Sequence, residues 1–351
     1  MKNFINKYLS QKCPSDFQIE ITSRCNLKCT ICFNGYFERV GTDMSFENFK
    51  TIIDQSSNFK IIDFTGVGES LLNKDFLKMV RYAKSKKMLV MFYSNFYLLN
   101  KKIAEELIEI GVDCVIVSLD GATKETYEKI RVGSNFEIIT NNVNDLFRLK
   151  KERKSKTPLV YFNYVINKYN IGEVVSFVEL VKVLAVGQTT HICFHLMYKL
   201  PLRKINERMI ISPDSKLLES TIQAAIKKGE DLSIPVTYDF VSPQSSMKKC
   251  KKYLKPFIFN TGDVVPCCVS FSKSSYFDQE SIGVLDSFSD QNQIRDVFIR
   301  REKDILEKMS LGNIFKQNFK EIWYGNKYRQ FRKILHQGGI PLFCENCPLY
   351  K

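Results

Sequence analysis

Ile21-Thr-Ser-Arg-Cys-Asn-Leu-Lys-Cys-Thr-Ile-Cys-Phe33 sets Cys25, Cys29 and Cys32 in a C-x3-C-x2-C spacing. Three thiolates so spaced suit three corners of a [4Fe-4S] cube and leave the fourth iron without a protein ligand. A cube held by four cysteines passes electrons, whereas an open iron can bind a substrate or a cofactor. Ferredoxin runs include a fourth cysteine that this run lacks. The alternative is a set of structural or zinc-binding thiols on a loop.

Immediately upstream, Phe17–Ile21 reads as a strand, so the cysteine loop follows a strand end. The first 200 residues then alternate short β-branched and aromatic runs with longer amphipathic stretches, the pattern of βα units on a parallel sheet. Six strands are expected near Phe17–Ile21, Lys60–Phe64, Met88–Tyr93, Cys114–Leu119, Leu159–Ile166 and Thr189–Leu196. Helices are expected near Phe46–Ser57, Lys74–Ser85, Lys101–Ile110, Lys124–Ile130, Phe136–Lys151 and Ile171–Val186. Six units in this length fit a partial (β/α)6 TIM-like barrel better than a closed eight-unit one, which needs about 250 residues. Functional groups then belong at the C-terminal strand ends, where the cysteine loop falls.

Side chains at i and i+2 share a face, and the helix-covered side of a parallel sheet must be apolar. In the fourth strand this sends Val115, Val117 and Leu119 outward, with Ser118 and Asp120 inward. In the sixth it sends Ile192, Phe194 and Leu196 outward, with His191, Cys193 and His195 inward. Gln18, Glu20, Tyr161, Asn163 and Asn167 also point inward, giving a lumen polar enough for a hydrogen-bonding ligand. After Ser212 the rhythm breaks, which sets a boundary near Pro201–Asp214 and two domains, residues 1–210 and 211–351. Residues Asp286–Ser310 read as a charged helical insertion.

The chain has 351 residues, a formal net charge of +14 and eleven cysteines. Its length and apolar content support a large core without staples. Met1–Ser15 is polar and broken by lysines and Pro14, and no window approaches eighteen uncharged apolar residues, so a cytoplasmic protein with reduced thiols and no membrane association is expected. The positive charge favours an anionic partner such as a nucleotide or phosphorylated compound, or else reflects a lysine-rich solvated surface. No basic run interleaved with aromatics suggests a nucleic-acid footprint; Lys150–Lys156 reads as a helix end.

The cysteine loop resembles that of the radical S-adenosylmethionine (SAM) superfamily, and three further stretches extend the resemblance. Gly66-Val-Gly-Glu69 is similar to the family's Gly-Gly-Glu, one residue longer; its glycines allow close backbone approach, and Glu69 is expected to accept from the SAM ammonium. Ser94-Asn95 is similar to the family's Thr-Asn-Gly, with Phe96 in place of glycine. Val117–Arg131 resembles the fourth-strand segment of SAM enzymes with an extra cluster domain, which implies that Ser118 reaches the ribose and Arg131 the SAM carboxylate. Asn163 joins this cofactor-binding set from the inward face of the fifth strand. Ile31 replaces the family's aromatic before the third cysteine.

Towards the C-terminus, Cys250, Cys267, Cys268, Cys344 and Cys347 lie in a frame resembling the SPASM or twitch domain: a Gly262–Cys267 hairpin, Leu311-Gly-Asn-Ile314, Glu321-Ile-Trp-Tyr324, Arg332 and the Cys344-Glu-Asn-Cys347 pair. The resemblance implies a second [4Fe-4S] cluster on Cys250, Cys267, Cys344 and Cys347, with structural zinc as the alternative. Cys268 is then left over, as a buried hydrophobe or as a hydrogen donor to a substrate radical near the barrel mouth; Cys193 is the second donor candidate. Cys13 and Cys114 read as packing residues.

The resemblance thus implies reductive cleavage of SAM to a 5′-deoxyadenosyl radical, a flavodoxin- or ferredoxin-type reductant, and oxidation or epimerisation of a substrate. The polar lumen and positive charge favour a small polar molecule: a sugar, aminocyclitol or nucleotide-linked compound. A ribosomally made peptide is the alternative, against which stands the short stretch before the first strand. A non-catalytic iron–sulfur electron carrier is the alternative of another class.

Overall fold

The computed structural model describes residues 13–32, 34, 41–55, 58–197, 207–239, 250, 252–268 and 309–344. Strands β1 (Asp16–Ile19), β2 (Ile61–Phe64), β3 (Leu89–Ser94), β4 (Cys114–Ser118), β5 (Leu159–Ile166) and β6 (Thr190–Leu196) pair side by side in parallel. Helices α1 (Phe46–Asp54), α2 (Phe76–Ser85), α3 (Lys101–Ile110), α4 (Lys124–Ile130), α5 (Phe136–Glu152) and α6 (Val174–Leu184) alternate with them. The starts are set locally: Ser45, Asn100, Thr123 and Asn135 each cap a helix by accepting a backbone N–H, satisfying one of the donors that a helix end leaves open. All six expected units are present. The last expected helix begins as a 3-10 turn, Ile171–Glu173.

The alternation continues past Ser212, where the sequence suggested it would stop. Helix α7 (Lys216–Leu232) is followed by β7 (Val236–Asp239), which pairs parallel with β6. Lysines and glutamates on the exposed face of α7 obscured its apolar stripe of Leu218, Ile222 and Ala225. On the other side of the sheet, β8 (Phe257–Ile258) pairs parallel with β1, then turns through Gly262 (φ 85°) into antiparallel β9 (Asp263–Val265) and β10 (Gly312–Asn313). The ten-stranded order β10-β9-β8-β1-β2-β3-β4-β5-β6-β7 leaves β10 and β7 as edges among the described residues. The fold is therefore an α/β partial TIM-like barrel with a C-terminal appendage built onto β1.

The apolar core lies between sheet and helices. Val115, Val117 and Leu119 are fully buried outward, and Phe194 packs edge-on to Phe177 of α6. The appendage adds α8 (Phe319–Tyr324), closed by an Asn318/Glu321 capping box, and α9 (Asn326–Gln337). No helix among the described residues is long and apolar enough to cross a membrane. Residues 286–308 of the expected charged insertion, and Cys347, lie outside the described residues.

Candidate active site

The cysteine loop is pinned on three sides. Ser23 N–H donates to Thr42 O at 3.0 Å, Thr22 bridges Asp43, and Arg24 forms a two-pronged pair with Asp43. Lys28 and Thr30 N–H donate to Val132 and Ile130 carbonyls at 2.9 and 2.8 Å, tying the loop to the C-terminal end of α4. Glu69 N–H donates to Arg24 O at 2.8 Å. A Cβ on Gly68 would sit 2.1 Å from Thr22 O and 2.7 Å from Arg24 O, so the second glycine of Gly66-Val-Gly-Glu69 is demanded by the cysteine loop itself.

Within the loop the thiols of Cys25, Cys29 and Cys32 interact electrostatically. Burial pushes the Cys25 thiol up to about 11 and Cys29 to about 12; Arg131 opposes the shift at both. Among the described residues no three His, Cys, Asp or Glu side chains converge on a single ion position. A cube asks for something else: thiols around a common volume, each taking a separate corner. That suits three neighbouring cysteines on one pinned loop.

Glu69 is 3% exposed. Its carboxylate accepts from Asn95 N–H (2.7 Å), Ser94 hydroxyl (2.9 Å) and Leu71 N–H (3.2 Å). Burial raises its pKa, the three hydrogen bonds and Arg131 pulling the other way. Ser94 and Asn95 therefore orient Glu69. The Asn95 amide also reaches Asn26 Oδ1 (2.9 Å) and lies 4.0 Å from Cys25 Sγ. Phe96, where the family has glycine, adopts φ 60° and is fully buried.

Arg131 is clamped by the wholly buried Asp120, its Nε 2.6 Å from Oδ2, while Val165 N–H donates to Oδ1 at 2.7 Å. Burial disfavours its charge, yet Asp120 and then Cys29 hold its pKa above the ordinary value. Ser118, Asn163 and Cys193 share one register layer at the C-terminal end of the sheet. Asn167 is used up locally: it accepts from Tyr169 N–H and donates to Val165 O. One layer down, Tyr161 stacks on His191 at 5.0 Å, and His191 Nε2 meets the Thr237 hydroxyl at 2.8 Å.

Three lumen residues escaped the sequence reading. Asp63 of β2, 1% exposed, accepts from Lys255 (2.8 Å) and Gln18 (3.3 Å), and its Oδ1 has no hydrogen-bond partner. Burial raises its pKa against the pull of Lys255. Tyr93 of β3 has its phenol raised by burial and then by Asp63, Cys268, Cys193 and Cys114. The alternation test, applied to β2 and β3, would have turned Asp63 and Tyr93 inward; nothing local foretells Lys255.

Cys268 lies three residues past the end of β9. Val265 is level with Phe257, itself level with Gln18, and the antiparallel β9 then runs towards the N-terminal strand ends. Cys268 accordingly feels Asp63, Lys252 and Lys255, and burial pushes its thiol up to about 12. Cys267 precedes it, and Cys344 sits in the 3-10 turn Leu342–Cys344. Cys250 and Cys344 pack partly buried against the core.

The Radical SAM superfamily model matches residues 19–181, and the SPASM iron–sulfur cluster-binding domain matches residues 250–348. The chain is a radical SAM enzyme with a C-terminal SPASM domain. Its cofactors are accordingly SAM, a [4Fe-4S] cluster and auxiliary iron–sulfur chemistry in the SPASM domain. This radical SAM chain is 25% identical over 336 residues to the tungsten-containing aldehyde ferredoxin oxidoreductase cofactor-modifying protein of Pyrococcus furiosus, covering 94% of this chain and 86% of that one. It is 26% identical over 264 residues to the PqqA peptide cyclase of Granulibacter bethesdensis, covering 72% and 67%. In fold it is similar to SuiB of Streptococcus suis bound to SAM, with a TM-score of 0.69, 14% identity, and coverage of 99% of this chain and 78% of that one.

Proposed function

We propose that this enzyme is a maturase that modifies a ribosomally made peptide, in preference to the small polar molecule suggested by lumen polarity and net charge. The observation that carries this reading is the similarity to a peptide cyclase, which runs over 264 residues and so reaches well beyond the barrel match. Along the lumen Asp63, Tyr93, Tyr161 and His191 offer the mixed donors and acceptors that peptide groups need.

The residue roles belong to the same proposal. Cys25, Cys29 and Cys32 hold the first cluster, and Cys250, Cys267, Cys344 and Cys347 the auxiliary one. We place the boundary between the two domains after β7 rather than at residue 210. When bound, the reduced first cluster and SAM supply a 5′-deoxyadenosyl radical able to abstract an unactivated hydrogen. Glu69, oriented by Ser94 and Asn95, accepts from the SAM ammonium; Gly66, beside Glu20, and Gly68, against the cysteine loop, let the turn that carries it pack closely. Arg131, held by Asp120, faces the carboxylate, while Ser118 and Asn163 face the ribose. Cys268, whose thiol burial pushes up, is the residue we assign to return a hydrogen atom to a substrate carbon.

The test is anaerobic turnover with SAM, dithionite and a panel of short peptides, set beside sugars and nucleotides, followed by mass spectrometry. Expected are 5′-deoxyadenosine and a peptide that has lost a pair of hydrogens or, in D2O, has gained one deuterium. SAM cleavage stimulated by sugars or nucleotides, and indifferent to the peptides, would return the small-molecule reading.

A further inference from the structure

Arg332 of α9 is 1% exposed. Its guanidinium lies 4.4 Å from the Trp323 ring centre and 5.0 Å from that of Tyr328, and one Nη2–H donates to Trp323 O at 2.8 Å. Nε and Nη1 are buried with no hydrogen-bond partner. Among the described residues no carboxylate pairs with it. Arginine does not shed its proton in a protein, and a lone buried charge is strongly disfavoured unless an anion offsets it.

The neighbours already present do not supply that anion. Cys13 feels the charge of Arg332, but burial raises its thiol pKa and keeps it neutral. The Tyr328 hydroxyl is likewise raised by burial, and it donates to Tyr253 O at 3.2 Å. Tyr328, in contact with Arg332, also feels the charge of Cys267. Helix α9 touches the other cysteine segments too: Tyr328 bonds the turn that follows Cys250, and Phe331 meets Phe343, beside Cys344, at 5.5 Å.

We propose that Arg332 is the counter-charge of the auxiliary cluster, a positioning residue that sets how readily that site accepts an electron. The inference rests on the auxiliary-cluster reading. Four thiolates leave such a site net negative, and reduction adds one more negative charge; a buried cation nearby favours the reduced state. Arg332 also makes the cluster-free domain carry an uncompensated charge.

The experiment uses the full-length Cys25/Cys29/Cys32→Ala protein, so that only the auxiliary site holds iron. Its midpoint potential is read by EPR-monitored titration, alongside thermal unfolding of the cluster-free protein. The midpoint is expected to fall from Arg332 to Arg332→Lys to Arg332→Gln, while cluster-free Arg332→Met melts no lower than its parent. A packing role alone would instead lower the melting temperature and leave the midpoint in place, which overturns the proposal. Should Arg332→Gln not fold, iron-loaded Arg332→Met decides, an unmoved midpoint being the adverse result. Absence of iron from the parent would remove the auxiliary cluster and Arg332's role together; iron with an unmoved midpoint removes only the latter.

Discussion

Phe96 holds a left-handed backbone (φ 60°) that costs a non-glycine residue about 1–2 kcal/mol. Its carbonyl accepts from the Asn142 amide at 2.8 Å, its N–H donates to the Ser94 hydroxyl, and its ring is fully buried. Losing such a ring costs about 3–5 kcal/mol. Phe96→Gly is therefore expected to relieve strain yet destabilise the protein by a net ~2–3 kcal/mol, measured by urea denaturation. A variant as stable as the parent would show that the ring does not offset the backbone. The sequence already pointed to this site through Ser94-Asn95. It gave no sign that these two residues serve Glu69 and Cys25, because those contacts join segments 25 and 70 residues apart.

At the scale of elements, β strands with clean alternation were legible, since one apolar and one polar face leave a period-2 trace. Every barrel strand and helix up to residue 196 falls where that trace puts it. Helix α7 did not, because its polar face is dense in Lys and Glu. The cysteine loop was legible as a cluster of thiols, but the burial of Cys29 was not. In the folded cluster-free protein burial pushes the Cys25 and Cys29 thiols up to about 11 and 12. A thiol with a raised folded pKa favours folding while protonated. That contribution is full below about 9 and is lost as pH rises towards 11–12, at about 1.4 kcal/mol per pH unit for each thiol. Cluster-free wild type should accordingly lose stability between pH 9 and 11 more steeply than Cys25/Cys29→Ala, as read from denaturant midpoints. Parallel slopes would mean that the loop opens before it titrates.

At the scale of the whole molecule, Lys255 reaches from the SPASM match into the barrel to pair with Asp63 at 2.8 Å. The Asp63 side chain is 2% exposed and that of Lys255 34%, so most of the cost of breaking the pair falls on the carboxylate. Lys255→Met is expected to destabilise the protein by about 3 kcal/mol, and adding Asp63→Asn should recover part of that loss. Strict additivity of the two substitutions would argue that the pair does not couple the domains. Such a pairing spans 192 residues. A run such as Ile61-Ile-Asp-Phe64 shows a lone acid in a strand and cannot show which distant lysine will meet it.

The addition of β8 to the free side of β1 also has a temporal meaning. Strand β1 is synthesised about 240 residues before its partner, or roughly 10–50 s at ordinary elongation rates. Throughout that interval the nascent barrel presents a row of unpaired N–H and C=O groups beside the newly made cysteine loop, the kind of edge to which stray strands anneal. Biogenesis of this protein thus includes a window in which the cysteine loop exists before its sheet is complete.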